Sequence, residues 1–196
     1  MKITFLLFGL MFTTMLYAQK NEQLPYKQIP EYAKDFAVGN VVARFIDGLG
    51  YRYYWATEGI RTEDLEFKPT EDARSTFESL QHIYDLTEMI LNAAKKQPNI
   101  RPRKEKEFTA DELRKNTLIK LQEASALFKD KNEAEVAEFN IAFEINGNKS
   151  ELPLWNLMNG PIADAIYHTG QIVSFRRMSG NPINPKVNVL IGKTGE

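Results

Sequence analysis

The sequence predicts an all-α fold, a four-helix bundle in which four long helices share one core. Apolar residues recur at spacings of three and four in four separate segments, which is the period of an amphipathic helix. Capping and helix-breaking residues lie between those segments. The chain has 196 residues and is 43% hydrophobic, which suits a single domain with a substantial core. Helices of this kind bury their apolar faces against one another, so we expect a bundle.

The first 18 residues have the layout of a secretory signal peptide. Lys2 precedes an apolar run over residues 3–16, and Ala18 follows it. The run is shorter than the roughly 20 residues of a membrane span. No Cys follows it, which excludes a lipid anchor there. We expect cleavage after Ala18, no stable membrane anchor, and export to the periplasm or the medium. An uncleaved anchor is the alternative, because Leu16 stands where a small residue is more usual.

Charge and cysteine content exclude several classes of site. Cleavage would remove one Lys and no acid, which leaves a net charge of about −2. Such a balance gives no reason to expect nucleic-acid binding. The absence of Cys excludes disulfides, thiolate metal sites and a Cys nucleophile.

A lead-in segment over residues 19–36 precedes the first predicted helix. Its two prolines argue against a helix. The first helix is predicted from Ala37 to Glu58, and Gly48 and Gly50 are expected where a neighbouring helix comes close. Its predicted buried stripe consists of Val38, Val42, Phe45 and Leu49.

The second and third predicted helices are bounded by capping signals. The second spans residues 67–96, with Thr70 as its N-cap. The third begins at Thr109, because Thr109 and Glu112 form a capping box, and ends near Phe128. The connector between these two helices is charged and is expected to be a solvated loop.

An excursion of the chain precedes the fourth predicted helix. Asn-Gly-Asn at residues 146–148 indicates a short hairpin or an irregular segment. The fourth helix is predicted from Pro161, at its first position, to Gly180. We therefore expect a bundle domain over residues 37–180 and a C-terminal tail over 181–196.

The fourth helix carries polar residues on a face that is otherwise apolar. Asp164, His168 and Gln171 share that face with Ile172 and Phe175. Burying such groups without partners costs several kcal/mol. A hydrogen-bond network, water or a metal ion must therefore satisfy them.

The other histidine of the chain, His82, is also predicted to point inward. The other residues on the same face of the second predicted helix are small or apolar throughout. Two imidazoles and one carboxylate suit a divalent transition metal, with Zn²⁺ first and Ni²⁺ or Fe²⁺ as alternatives. Three protein ligands leave a position open, as in catalytic sites. Two other readings stay open: Asp164 as an acid of the first helical turn, and His168 as a hydrogen-bonded core histidine.

Two stretches of the chain resemble the DinB-like superfamily of metal-binding four-helix-bundle proteins. They are ESLQHIYDL around His82 and ADAIYHTGQIVSFRRMSGNP at 163–182, and the resemblance covers roughly residues 37–180. The second stretch is similar to the family's last helix, written H-x-x-x-H-x-G-Q-[LI]. The resemblance implies that His82 is the first metal-binding histidine and His168 the last. Asp164 stands where the middle histidine usually lies, which makes the site harder and more negative.

Neighbouring side chains are assigned with alternatives. Gln171 hydrogen-bonds a ligand or a bound water, or ties two helices together. Glu78 is an alternative ligand or a general base, or an exposed helix acid. Tyr54 and Trp55 wall a pocket, or belong to the core.

The resemblance implies a metal-dependent enzyme, since family members include transferases, isomerases and proteins treated as hydrolases. We expect a hydrolase or transferase acting on an unidentified small molecule. The hydrolase is preferred, because low-molecular-weight thiols are scarce outside the cell. The alternative is a non-catalytic bundle that holds a metal or another ligand. Self-association into a homodimer is left open.

Overall fold

The computed structural model describes residues 23–103 and 106–195, so the predicted signal peptide lies outside the described residues. The fold is mostly helical. Its α-helices are α1 (Val38–Thr57), α2 (Thr62–Glu66), α3 (Thr76–Ala94), α4 (Ala110–Phe128), α5 (Glu133–Val136), α6 (Leu154–Leu157) and α7 (Ala163–Met178). Its strands are β1 (Asn99–Arg101), β2 (Ile141–Ile145), β3 (Asn148–Leu152), β4 (Val187–Asn188) and β5 (Lys193–Thr194). None of the helices in these ranges combines the length and apolarity that crossing a membrane requires.

The four longest helices contact one another in a closed cycle. Helix α1 packs against α4 and α7, and α3 packs against the same two helices. Fully buried side chains fill the space between them, among them Ile46, Ile83, Leu118 and Ile172. The predicted helical character is confirmed, but the strands depart from a purely all-α class.

The buried face of α1 differs from the predicted stripe. Val42 and Leu49 are buried as expected, whereas Val38 is 40% and Phe45 52% exposed. Ile46 is instead completely buried, so the buried face is centred about one position further round the helix. The apolar period revealed the helix, but which face is covered depends on the neighbouring elements.

Glycines allow close approaches at α1, but neither Gly48 nor Gly50 meets a neighbouring helix as predicted. A Cβ on Gly50 would lie 2.4 Å from the ring of Tyr26, so this approach is to the lead-in segment and not to a helix. Gly39 lies against the backbone of Phe128 at the end of α4, where a Cβ would be 2.1 Å from the carbonyl oxygen. Gly48 meets only the flexible end of Arg52.

Helix α3 begins later than predicted, because its capping box lies at Ser75 and not at Thr70. Ser75 Oγ accepts a hydrogen bond from the Glu78 amide at 3.1 Å, and Glu78 Oε2 accepts one from the Ser75 amide at 2.6 Å. These two bonds satisfy two of the amides that a helix N-terminus leaves unpaired. The same arrangement at Thr109 and Glu112 confirms the predicted start of α4.

The predicted hairpin is present and belongs to a larger sheet. Strands β2 and β3 pair antiparallel, and Asn146 and Gly147 between them have φ of 50° and 82°. A two-residue turn of this kind requires the left-handed conformation that Asn-Gly adopts readily. Strand β1 adds to β2 in parallel, which was not predicted, because three residues are too few to show a strand period.

The entry to α7 also differs from the prediction. Pro161 lies within a π-helical turn over Met158–Ile162, and α7 begins at Ala163. Gly160 in that turn has φ −94° and ψ −105°, outside the helical region. The helix ends at Met178, and Gly180 beyond it adopts a φ of +79°. This turn directly precedes α7, the helix that carries Asp164 and His168.

Candidate metal centre

The structure brings the three predicted ligands together on two packed helices. His82 lies on α3, and Asp164 and His168 lie one turn apart on α7. Each side chain offers one ligand atom, and these atoms all lie within 4.8 Å of one another. The cluster forms because the buried side of α3 around His82 faces α7, and because residues four apart share one face of a helix.

The carboxylate of Asp164 lies between the two imidazoles. Its Oδ2 is 3.1 Å from His82 Nε2, and its Oδ1 is 3.4 Å from His168 Nε2. The rings of His82 and His168 are nearly perpendicular, with centroids 4.6 Å apart. Ligand atoms about 2.1 Å from a tetrahedral metal ion lie about 3.4 Å from one another. Both measured distances are close to that value, so the donor set could hold a metal ion.

Gln171 determines which nitrogen of His168 carries the proton. Gln171 Oε1 lies 2.7 Å from His168 Nδ1, and an amide oxygen can only accept a hydrogen bond. His168 Nδ1 therefore donates, and Nε2 of the neutral ring presents its lone pair toward Asp164. Lone pairs of Nε2 and of the carboxylate then face the same space. A metal ion could bind these lone pairs, and the guanidinium of Arg74 also lies near Nε2, at 3.4 Å.

The cluster is open to solvent on one side. The side chain of His168 is 11% exposed, that of His82 28%, and that of Asp164 41%. The ring of Tyr167 stands edge-on to His168 at a centroid distance of 5.3 Å. A molecule from solvent can therefore reach the carboxylate of Asp164 and the imidazole of His82.

Glu78, another predicted neighbour of the cluster, has contacts elsewhere. Glu78 caps α3 and forms an ion pair with Lys68 at 3.2 Å. The hydrogen bond from the Ser75 amide is the main reason why the pKa of Glu78 is lowered from its ordinary value. Its role as a ligand or base stays a prediction.

Tyr54 and Trp55 are both buried near the end of α1. Trp55 Nε1 donates to the Lys27 carbonyl at 3.1 Å, and the guanidinium of Arg114 lies 4.8 Å from the centre of the Tyr54 ring. These contacts tie the two rings to the lead-in segment and to α4. The pocket role that the sequence suggested for them stays a prediction.

Arg74 is a neighbour of the cluster that the sequence did not reveal. Its Nη1 lies 3.4 Å from His168 Nε2. The residue directly precedes the N-cap Ser75, in a segment that was predicted to be helical. The Ser-x-x-Glu pattern at residues 75–78 was the available signal, because it begins the helix at Ser75 and leaves Arg74 outside it.

Comparisons with known proteins point to one family. The model of the DinB family matches residues 50–189. The crystal structure of a DinB-like protein, YjoA from Bacillus subtilis, resembles this fold with a TM-score of 0.55. The two chains are 16% identical, and the alignment covers 74% of this chain and 96% of that chain. No curated protein matches the sequence. The resemblance first drawn from the stretches around His82 and His168 is confirmed.

Proposed function

Because the chain belongs to the DinB family, we propose that it binds one divalent transition metal ion through His82, Asp164 and His168. The observation that carries the proposal is the convergence of three ligand atoms within 4.8 Å, on side chains from two helices. Proteins of this family bind metal ions in general. We further interpret the closed cycle of α1, α4, α3 and α7 as the four-helix bundle expected of the family.

We propose Zn²⁺ as the ion, with Ni²⁺ and Fe²⁺ as alternatives. Nitrogen and carboxylate ligands in a three-residue set suit each of these ions. The carboxylate of Asp164 makes the donor set harder than three histidines would be. The hydrogen bond from His168 Nδ1 to Gln171 supports binding of any of them, since it fixes the tautomer that leaves Nε2 free.

The proposed activity is hydrolysis of a small molecule, with group transfer as the alternative reaction. A divalent ion with a free coordination position acidifies water and polarises a bound substrate. The exposure of His82 and Asp164 supports such a position, because solvent reaches that side of the cluster. Gln171 would keep the ring of His168 oriented. Asp164 would bind the ion through its carboxylate, which lies between the two imidazoles.

A non-catalytic role is the second candidate, and one contact favours it. The distance of 3.1 Å between His82 Nε2 and Asp164 Oδ2 suits a direct hydrogen bond between α3 and α7. A polar cluster of this kind could join the helices with no ion at all. The two candidates differ in whether the purified protein contains metal.

The test is elemental analysis of the purified protein, combined with substitutions of both histidines. We expect about one transition metal per chain in the wild type, and loss of stoichiometric metal in His82→Ala and in His168→Ala. Gln81→Ala is the matched control, because Gln81 is an exposed neighbour on α3 and should keep its metal. Full occupancy in both histidine variants would rule out this ligand set.

We also propose that the protein is exported, which rests on the signal-like pattern of residues 1–18. N-terminal sequencing of the exported protein should give Gln19 as the first residue. A mature chain that still begins at Met1 would make the segment an anchor instead.

A further inference from the structure

Arg74 differs in its contacts from Arg61 and Lys68, the two other basic residues close to it in the chain. It lies in the connection between α2 and α3, directly before the N-cap Ser75, whose capping box fixes the backbone there. Its Nη1 reaches to 3.4 Å from His168 Nε2. Within residues 23–103 and 106–195, Arg74 forms no ion pair, whereas Arg61 is paired with Asp64 and Lys68 with Glu78.

The contact of Arg74 with His168 is not one that a metal-loaded site can keep. The guanidinium is at the outer limit of hydrogen-bond distance, and it points at the same lone pair that a metal ion would use. Two cations cannot share one nitrogen lone pair. With the ion bound, the guanidinium must turn away from Nε2, yet its backbone remains fixed beside the centre.

The charges around such a centre favour an anion. Two neutral imidazoles and the Asp164 carboxylate leave one positive charge on a complex with a divalent ion, and Arg74 adds a second. The nearby acid Glu78 already caps α3 and pairs with Lys68, so it does not neutralise them. An anionic group between the ion and the guanidinium would compensate one of these charges as a carboxylate, and up to both as a phosphate.

We propose that Arg74 binds an anionic oxygen group of the substrate, a carboxylate or a phosphate, next to the metal ion. The inference rests on the proposed metal centre and specifies its substrate class. A guanidinium presents two parallel N–H groups that match the two oxygens of either group. The open side of the cluster, at His82 and Asp164, leaves room for the rest of the molecule. Arg74 is therefore a specificity-determining residue of this site.

The experiment measures anion affinity separately from metal affinity. Zn²⁺ affinity is determined by chelator competition for the wild type and for Arg74→Gln. The Zn²⁺-loaded proteins are then titrated calorimetrically with acetate, with inorganic phosphate and with neutral acetamide. Arg177→Gln is the matched control, because Arg177 is an exposed arginine nine residues beyond His168 on the same helix.

We expect Arg74→Gln to bind Zn²⁺ at least as tightly as the wild type and to lose about tenfold or more in affinity for the preferred anion. Acetamide should bind weakly to both proteins, and Arg177→Gln should match the wild type. Tighter binding of acetate than of phosphate identifies a carboxylate substrate, and the reverse order identifies a phosphate ester.

Two results would overturn the inference, and they are distinguishable. If Zn²⁺ binds but Arg74→Gln retains full anion affinity, or if neither anion binds, the role of Arg74 is wrong and the metal centre stands. If the wild type does not bind Zn²⁺, Ni²⁺ or Fe²⁺, the proposed metal centre fails and the inference fails with it.

Discussion

At the scale of single residues, the position of Asp164 between two imidazoles is the central feature. Its two oxygens are 3.1 and 3.4 Å from the Nε2 atoms of His82 and His168. An acid in the first turn of a helix would also be favoured by the helix dipole alone, at about 0.3–1 kcal/mol. Geometry now connects this acid to both histidines, so its substitution should affect more than helix stability.

Two substitutions of Asp164 separate these roles. Asp164→His should retain metal, because it supplies a third imidazole in place of the carboxylate. Asp164→Ala should weaken metal binding strongly, because two ligands remain. Chelator competition measures both affinities. If Asp164→Ala binds metal as tightly as the wild type, Asp164 is not a ligand, and Glu78 becomes the next residue to test.

Gln171 should matter through His168 and not through direct contact with an ion. Gln171→Leu removes the acceptor for Nδ1–H, so the ring loses its fixed tautomer and orientation. We expect metal affinity to fall by about 10- to 100-fold, as for other residues that orient a ligand. Gln171→Glu keeps an acceptor and should stay close to the wild type. Similar losses in both variants would show that Gln171 does not act as the acceptor for the Nδ1–H of His168.

At the scale of elements, the C-terminus of α7 is tied to the ends of α1 and α2. Arg176 donates to the carbonyls of Ala56 and Glu58 at 3.0 and 2.7 Å, although it is almost completely buried. Asp64 on α2 accepts from Ser179 and from Asn181, both at 2.6 Å. These bonds hold α7 at its far end, about three turns from His168.

The carboxyl of Asp64 should make stability depend on pH. Burial alone would raise the pKa of Asp64, but hydrogen bonds from Arg61, Ser179 and Asn181 outweigh it and hold the pKa well below its ordinary value. A lowered folded-state pKa contributes stability above the unfolded value near pH 4. That contribution is lost as the pH falls through the folded value.

Urea denaturation of Asp64→Asn between pH 7 and pH 2 tests this linkage. The variant should be less stable than the wild type at pH 7, and the difference should shrink as the pH falls below about 4. Glu107→Gln, at an exposed acid in the connector before α4, is the control and should follow the wild type. A difference that stays constant over this range would mean that Asp64 acts by packing and not by charge.

At the scale of the whole molecule, we expect the core to form without the proposed metal ion. Most of the buried apolar side chains lie between α1, α3, α4 and α7, and a domain of this size buries enough surface to fold without a bound ion. Metal binding should therefore add stability to a fold that already exists.

Chelation should leave the helical circular dichroism signal unchanged at room temperature. At a metal concentration 100 times Kd, binding stabilises the fold by about 2.7 kcal/mol, which corresponds to roughly 5–10 °C in the melting temperature. We expect the chelated protein to melt lower by that amount. Cooperative unfolding on chelation at room temperature would show that the ion is structural, and it would favour the non-catalytic function.

Some features of the whole molecule depend only on residues close together in the chain, and these can be predicted from the sequence. The start of α4 at Thr109 and the turn at Asn146-Gly147 depend on hydrogen bonds and backbone preferences within four residues, so the sequence alone determined them. The shared direction of Asp164, His168 and Gln171 follows from the helical period in the same way.

Features that depend on distant residues were decided only by the tertiary structure. The buried face of α1 is set by α4, α7 and the lead-in segment, and β1 exists because β2 supplies its partner. Arg74 lies 94 positions from His168 in the chain. The capping pattern beside it places Arg74 before α3 but does not indicate the contact with His168. Local patterns specify helices, turns and the faces of single elements. Which of those faces meet is determined by packing between segments far apart in the chain.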